Sequence, residues 1–167
     1  MSLRDPRSPR LRPAVRALIH TPDHDVLLVR FRFPGIAFWA PPGGGIEPGE
    51  PPLEALRREL AEEVGLLEYT VGPKLYEHRR LYGADAASAW DGQADDVYLI
   101  AVPERFEPRP AMSAADLIAE NLVDTAWFTV GALEALGTLP VDLGARVRRL
   151  REHGPPAVPD RFGIPGG

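Results

Sequence analysis

The chain has 167 residues, of which 44% are hydrophobic, and it carries a formal net charge of −5 with a pI near 5.4. This acidic balance argues against a protein that binds nucleic acid through a basic face, and the absence of cysteine excludes disulfides, iron–sulfur clusters and thiolate zinc sites. No apolar run approaches the roughly 18 residues of a membrane-spanning helix, and the arginine-rich start lacks the apolar segment of a secretory signal. We therefore expect one globular domain, no membrane partner and, by default, a cytoplasmic location.

The chain divides into three parts by composition. Residues 1–12 are a Pro/Arg-rich arm that we expect to be flexible, residues 13–153 form the domain, and residues 154–167 are a Pro/Gly-rich tail with no helical or strand period. Apolar runs broken by Pro, Asp and Gly predict the elements of the domain. They are two strands in 14–33 around a turn at 21–25, a mostly loop segment at 34–46 with a short strand near 38–40, a helix over 51–64, strands around 71–82 and 96–102, a connection over 103–125, a short strand at 126–130, and helices at 131–136 and 141–153.

The segment 51–64 has the period of an amphipathic helix. Pro51 and Pro52 suit the first turn, where backbone amides have no helical partner, and Gly65 suits the C-terminal cap. An apolar stripe at three- and four-residue spacing predicts packing against a sheet. Its members are Leu53, Leu56, Leu60 and Val64.

A second face of this helix carries three carboxylates. Glu59, Glu62 and Glu63 fall at positions i, i+3 and i+4, where like charges repel one another. A solvated helix face is the ordinary interpretation of such a pattern. A bound Mg²⁺ or Mn²⁺ is the alternative, because a hard divalent cation takes carboxylate oxygens and relieves the repulsion.

Two further features flank the carboxylates. Arg58 lies beside their face and can pair with Glu54 or Glu50. The glycines at 43–45 allow a sharp turn and a close approach to a ligand, and a glycine loop before a helix can place backbone groups beside a metal or a phosphate. A plain flexible loop is the simpler interpretation of the glycines alone.

Together these residues match a known signature. Gly44, five residues, Glu50, seven residues and then the run RELAEEVGL are similar to the complete Nudix box, which here spans residues 44–66. Pro51 stands where a typical Nudix protein has Ser or Thr, which changes the helix cap and leaves the carboxylate face untouched. The resemblance implies the Nudix fold, an α/β (α+β) architecture with a mixed β-sheet sandwiched between helices.

The resemblance also implies an activity. Nudix hydrolases cleave the pyrophosphate linkage of nucleoside diphosphates joined to another moiety X, with Mg²⁺ or Mn²⁺ as cofactor, and dinucleoside polyphosphates and nucleoside triphosphates are candidate substrates. By this resemblance Glu59, Glu62 and Glu63 are metal ligands, aided by the Gly44 carbonyl. Arg58 and Glu50 resemble the pair that orients them.

The general base has two candidates. Nudix enzymes use either a glutamate of the box or one from a later loop, and Glu120 is the loop candidate in this chain. An exposed carboxylate without a catalytic role is the competing interpretation of Glu120. The box is slightly favoured, because only there is the spacing specific.

Candidate substrate-binding residues lie outside the box. Arg30, Arg32, Arg79 and Arg80 lie on predicted strands and can hold phosphates, although surface arginines are common. Trp39 can stack on a base, although core packing is the more frequent role of tryptophan. Tyr82 resembles a tyrosine that follows the box in diadenosine polyphosphate hydrolases, and a strand tyrosine is the alternative.

Two other functions compete with a small-molecule hydrolase. One is a non-catalytic nucleotide-sensing Nudix domain. The intact box weighs against it, because a sensor does not need all the glutamates of the box. An RNA 5′-end pyrophosphohydrolase is disfavoured by the acidic charge, although Arg7, Arg10 and Arg12 offer a local basic patch. We expect a small-molecule nucleotide as partner rather than nucleic acid, and a monomer or homodimer.

Overall fold

The structure of the chain is a computed structural model that describes residues 8–83 and 86–164. Arg7 and the rest of the first seven residues of the expected arm lie outside the described residues, as do 84–85 and 165–167. No helix in the described ranges is long and apolar enough to cross a membrane. The elements are β1 (Leu11–His20), β2 (Val26–Phe33), β3 (Ile36–Ala40), β4 (Gly43–Gly45), α1 (Pro52–Val64), β5 (Lys74–Leu81), β6 (Gly92–Ala101), α2 (Ala114–Ala119), β7 (Leu122–Phe128), α3 (Val130–Leu133), α4 (Leu143–His153) and β8 (Asp160–Gly163).

One mixed sheet organises the molecule. β1 pairs in parallel with β6 and antiparallel with β2 and β4. The strands follow the order β3-β2-β1-β6-β5-β8, and β7 pairs with β2. α1 packs on one face of the sheet, while α3 and α4 pack on the other. The expected mixed sheet between helices is therefore confirmed.

Side-chain alternation along the strands divides the core into two clusters. On β1, Val15, Ala17 and Ile19 belong to the cluster that includes α1, whereas Leu18 belongs to the cluster that includes α4. The parallel pair β1–β6 needs cover on both faces, because apolar side chains emerge from both. This requirement explains why the helices lie on both sides of the sheet.

Four segments differ from the sequence-based expectation. β1 begins at Leu11, inside the expected arm, and residues 43–45 form β4 rather than a loop. The connection over 103–125 contains α2, and the expected structureless tail contains β8, which pairs in parallel with β5. β4 and β8 are three and four residues long and arise from pairing with a neighbouring strand, which local propensity does not reveal.

Candidate active site

α1 begins after a proline and ends at a glycine, as the sequence predicts. Pro51 is the N-cap in an extended conformation, and Gly65 caps the C-terminus with a left-handed φ of 71° while its N–H donates to the Leu60 carbonyl. The apolar stripe is buried against the sheet except for Leu53, which is 47% exposed in the first turn. The prediction that Leu53 packs against the sheet was wrong, because the contact between α1 and the sheet begins about one turn later.

The glycines of β4 make a close approach between the sheet and α1. Gly43 has a φ of 145°, and a Cβ there would overlap the Val15 carbonyl. A Cβ on Gly44 would lie 2.6 Å from the carboxyl carbon of Glu59. The segment therefore acts as a closely packed strand beside the helix, and not as the sharp loop turn suggested by the sequence.

Arg58 joins α1 to the segment that precedes it. Its Nε and Nη2 donate to the two oxygens of Glu50 at 3.0 and 2.8 Å, which is a bidentate pair. Nη1 donates to Glu59 Oε1 at 2.7 Å, and Nη2 also donates to the Gly45 carbonyl at 3.2 Å. Of the two partners expected for Arg58, the structure selects Glu50. The hydrogen bonds from Arg58 lower the pKa of Glu50 to about 2.

The carboxylates facing β4 are withdrawn from water. Glu63 is 6% exposed and accepts a hydrogen bond of 2.9 Å from the Gly43 N–H. Burial, followed by the nearby charge of Glu59, raises the pKa of Glu63 to about 8, and Glu120 adds to this effect. Burial also raises the pKa of Glu59, against the opposing effect of Arg58. Glu120, which caps the C-terminus of α2, is thus one of the charges that act on Glu63.

The donor set suits a hard divalent cation. Within residues 8–83 and 86–164, no three His, Cys, Asp or Glu side chains are gathered as a ready-made metal cluster. Glu63 is nevertheless a buried carboxylate and Glu59 a partly buried one, both with raised pKa values. Glu62 lies beside them, 3.6 Å from Arg58 Nη1. A cation would supply the positive charge that these oxygens need in order to be ionised together.

A buried ion pair lies beside β4 that the sequence analysis missed. Arg16 Nε donates to Asp95 Oδ1 at 2.9 Å, and Arg16 Nη1 donates to the Pro41 carbonyl at 3.1 Å. Burial opposes the ionisation of Asp95, which is 3% exposed, but the Arg16 and Arg80 guanidinium groups outweigh it and lower the pKa of Asp95. The local signal for this pair in the sequence was a charged residue, Arg16, inside the apolar run of β1. Its partner Asp95 lies 79 residues further along the chain, so the sequence does not reveal the pairing.

Comparison with known proteins decides the family. A family model described as the NUDIX domain matches residues 10–150. The chain belongs to the Nudix family.

Proteins similar to this Nudix chain include two relatives of known name. An RNA pyrophosphohydrolase of Helicobacter pylori (strain G27) is 36% identical over 101 residues, which cover 54% of this chain and 63% of that relative, less than two thirds of its length. Nucleoside triphosphatase NudI of Enterobacter sp. (strain 638) is 34% identical over 117 residues, covering 69% of this chain and 74% of the relative. The solution structure of the E. coli ORF135 protein superposes with a TM-score of 0.60 at 23% identity, covering 89% and 96% of the two chains, and supports the fold.

Three of the predicted substrate residues lie on β2 and β3, away from α1. Trp39 packs edge-on against Phe128, with ring centroids 4.8 Å apart, in the cluster on the α3–α4 face. Arg30 is opposite Trp39 in the antiparallel register and therefore shares that face. Arg32 is opposite Ala37 and is exposed. The structure thus places Arg30 and Trp39 on the sheet face opposite α1, and Trp39 contributes to core packing.

The other predicted substrate residues of the Nudix domain lie on or just after β5. Arg80 Nε is 3.8 Å from Asp95 Oδ2, and its guanidinium lies 5.6 Å from the centre of the Tyr82 ring. The Tyr82 hydroxyl donates to Gln93 Oε1 at 2.9 Å. Within the described residues, the Nε atoms of Arg79 and Arg80 are buried without a hydrogen-bond partner. The structure brings Arg80 and Tyr82 together around the buried Asp95.

Proposed function

We propose that the chain is a divalent-metal-dependent pyrophosphohydrolase that cleaves the pyrophosphate linkage of nucleoside diphosphates joined to another moiety. One observation carries this proposal: Glu63 is buried and Glu59 partly buried at the contact between α1 and β4, the glycine strand, and both have raised pKa values with Arg58 bonded to Glu59. Buried carboxylates cost stability unless they are paired, hydrogen-bonded or bound to a metal. The match to the NUDIX domain model supports the same reaction class.

The proposed ligands of the cation are Glu59, Glu62, Glu63 and the Gly44 carbonyl, with Mg²⁺ as the expected ion and Mn²⁺ as a substitute. A bound cation of this kind neutralises pyrophosphate charge and acidifies a water molecule. Arg58 holds Glu59 and the Gly45 carbonyl in fixed positions through its pair with Glu50. These contacts keep the glycine strand and the carboxylates in register before substrate arrives.

Hydrolysis adds water across the anhydride. The water oxygen bonds to phosphorus, the bridging P–O bond breaks, and a protein carboxylate accepts the water's proton. Glu120 and the box glutamates remain the candidates for that base. The effect of Glu120 on the pKa of Glu63 supports a location of Glu120 close to the box.

Metal removal tests the proposal directly. The full chain would be stripped with EDTA and assayed against nucleoside triphosphates, dinucleoside polyphosphates and nucleoside diphosphate sugars, with products read by chromatography. We expect no hydrolysis in EDTA and recovery on addition of Mg²⁺ or Mn²⁺. Full activity in excess EDTA after exhaustive metal removal would contradict the mechanism, and binding without any turnover would favour a nucleotide sensor.

Hydrolysis of RNA 5′ ends is a second candidate, favoured by the similarity to a protein named RNA pyrophosphohydrolase. The net charge of −5 argues against a polymer partner, whereas Arg12 packs against Gly45 and places a cation beside the glycine strand. A 5′-triphosphorylated oligonucleotide and a nucleoside triphosphate would be compared at 50 and 200 mM salt. The RNA function would be supported if kcat/KM is higher for the oligonucleotide than for the nucleoside triphosphate and falls steeply as the salt concentration rises.

A further inference from the structure

A cavity of about 330 Å³ lies next to the Arg58–Glu50 pair, between the segment before α1 and the strand ends of β1 and β6. Pro13, Ile46 and Pro48 give it apolar walls, and Trp90 and Glu50 also line it. Its volume is at the lower end of the range for small-molecule sites. Glu50 is the residue that the cavity shares with the candidate active site.

Trp90 is held in place although it lies in a loop. The Arg10 N–H donates to Asp91 Oδ2 at 2.6 Å, and the Asp91 N–H donates to the Arg10 carbonyl at 2.8 Å. The Trp90 N–H donates to Ser88 Oγ at 3.1 Å, and the Arg10 guanidinium lies 5.2 Å from the centre of the indole ring. Trp90 is half-buried and is a member of neither core cluster. Packing in the core therefore does not account for this tryptophan.

The chemistry of the cavity suits a nucleobase. An indole ring beside apolar walls offers a stacking surface for a flat aromatic group, and such stacking tolerates any base because every base has a π-face. The diphosphate end of such a ligand would meet the candidate active site, because Arg58 Nη2 bonds both Glu50 at the cavity and the Gly45 carbonyl of the glycine strand. Arg58 thus links Glu50 in the cavity wall to Glu59 and to the Gly45 carbonyl of the glycine strand.

We propose that Trp90 is the stacking platform for the base of the nucleotide substrate, in the cavity beside Glu50. This inference rests on the proposed hydrolase function and names the part of the protein that holds the nucleoside. It assigns stacking without reading of base identity, since Trp90 supplies a ring face rather than a pattern of hydrogen bonds.

Two ligands that resist hydrolysis test the assignment by calorimetry in Mg²⁺. Adenosine 5′-(α,β-methylene)diphosphate carries a base, and methylenediphosphonate is its base-free counterpart. Trp90→Ala should weaken binding of the nucleotide analogue roughly tenfold or more and leave methylenediphosphonate binding unchanged. Trp90→Phe should retain most of the affinity, because a phenyl ring also stacks. Trp127→Phe, a change at a tryptophan that bonds the Phe106 carbonyl, should have no effect.

The outcomes separate this inference from the hydrolase function. If Trp90→Ala leaves the affinity for the nucleotide analogue unchanged, or weakens both ligands equally, the stacking assignment is wrong. The same conclusion follows if the unmodified chain does not bind the nucleotide analogue. Metal-dependent hydrolysis by the unmodified chain, with an unchanged KM in Trp90→Ala, would leave the proposed function intact and overturn only the role of Trp90. A raised KM in Trp90→Ala with little change in kcat would support the role of Trp90.

Discussion

Glu63 is a carboxylate at a position where its surroundings oppose its charge. The Gly43 N–H is the hydrogen-bond donor to Glu63, while burial and the neighbouring Glu59 both favour the protonated form. A glutamate kept only for solubility would not be placed there, because burying a carboxylate without a cation is costly. The proposed cation resolves this conflict, which makes Glu63 the residue at which the mechanism is tested most sharply.

Glu63→Gln should reduce turnover by at least about 100-fold, because it removes a ligand charge from the proposed cation site. The fold should persist, since glutamine has the shape of glutamate and can still accept the hydrogen bond from Gly43. Steady-state kinetics and circular dichroism would measure the two effects. Glu54→Gln, at an exposed position in the first turn of α1, is the matched control and should behave like the unmodified chain. Near-normal turnover in Glu63→Gln would remove Glu63 from the ligand set.

Glu120→Gln distinguishes a general base from a metal ligand. If Glu120 accepts the proton of the attacking water, kcat should fall by about 10²- to 10⁴-fold with little change in metal affinity. Turnover and Mg²⁺ titrations of the same variant provide the comparison, with Glu107→Gln, another exposed change, as the control. A loss of metal affinity would make Glu120 a ligand instead, and an unchanged enzyme would assign the base to the box.

The residues of the site were predictable where spacing along one helix decides the geometry. Glu59, Glu62 and Glu63 share a face because positions i, i+3 and i+4 always do, and Arg58 reaches Glu50 across the start of the same helix. The pair Arg16–Asp95 joins two strands, and no period in the sequence connects them. The cavity at Trp90 was not predictable for the same reason, since its lining comes together only when β1 and β6 pair.

Among the elements, β4 and β8 show how pairing overrides local propensity. Three consecutive glycines are poor strand formers, yet they pair with residues 14–16 of β1. A Cβ on Gly43, Gly44 or Gly45 would overlap Val15, Glu59 or Arg12 respectively, so the position requires glycine. β8 lies in a Pro/Gly-rich tail, and its register with β5 brings Phe162 opposite His78. Both contacts are long-range, so neither the glycine run nor the tail composition predicts them.

The docking of β8 should make stability depend on pH through His78. Its ring stacks on Phe162 with centroids 4.7 Å apart, and burial lowers the pKa of His78 below its ordinary value of 6.5. The unfolded chain therefore takes up a proton at a higher pH than the folded chain does. The stability of the neutral, buried form is present above pH 6.5 and is lost as the pH falls through that value toward the lower folded pKa.

Phe162→Ala should lower the free energy of unfolding at pH 7.5 by about 2 kcal/mol, less than for a fully buried phenylalanine. It should also raise the His78 pKa toward 6.5, because the ring that shields it from water is removed. Urea unfolding at pH 7.5 and 5.5 and an NMR titration of the histidine would measure both effects. His153→Gln, at an exposed residue, is the control. A His78 midpoint at or above 6.5 in the unmodified chain would contradict the prediction.

At the scale of the whole molecule, β1 connects the parts of the site. Residues 14–16 of β1 pair with the glycine strand, and Arg16 on β1 bonds the buried Asp95. β1 also pairs along its length with β6, which begins just after Trp90. The order of predicted elements and the Nudix box were enough to predict a mixed sheet between helices. The strand order was not predictable, because it depends on which distant strands pair.

The distribution of the substrate-facing features predicts broad specificity. In the proposed mechanism the box and the glycine strand hold a diphosphate and a cation, and the proposed platform at Trp90 stacks on any base. Tyr82, the other aromatic candidate, has its hydroxyl committed to Gln93, which in turn donates to Asp95 at 2.6 Å. We therefore predict a site that holds several nucleoside diphosphate derivatives over one that selects a single base.

We expect measurable hydrolysis of more than one nucleoside diphosphate derivative, with no sharp preference set by base identity. Values of kcat/KM for matched adenine, guanine, cytosine and uracil substrates provide the measurement. Tyr82→Ala should change the ranking of substrates more than it changes the Mg²⁺ dependence, and Tyr82→Phe, which keeps the ring and removes the bond to Gln93, separates the two contributions. A single substrate preferred by ~1000-fold or more, roughly 4 kcal/mol of discrimination, would contradict the prediction. Such selectivity requires buried hydrogen-bonding groups directed at one base, and a ring face such as that of Trp90 does not supply them.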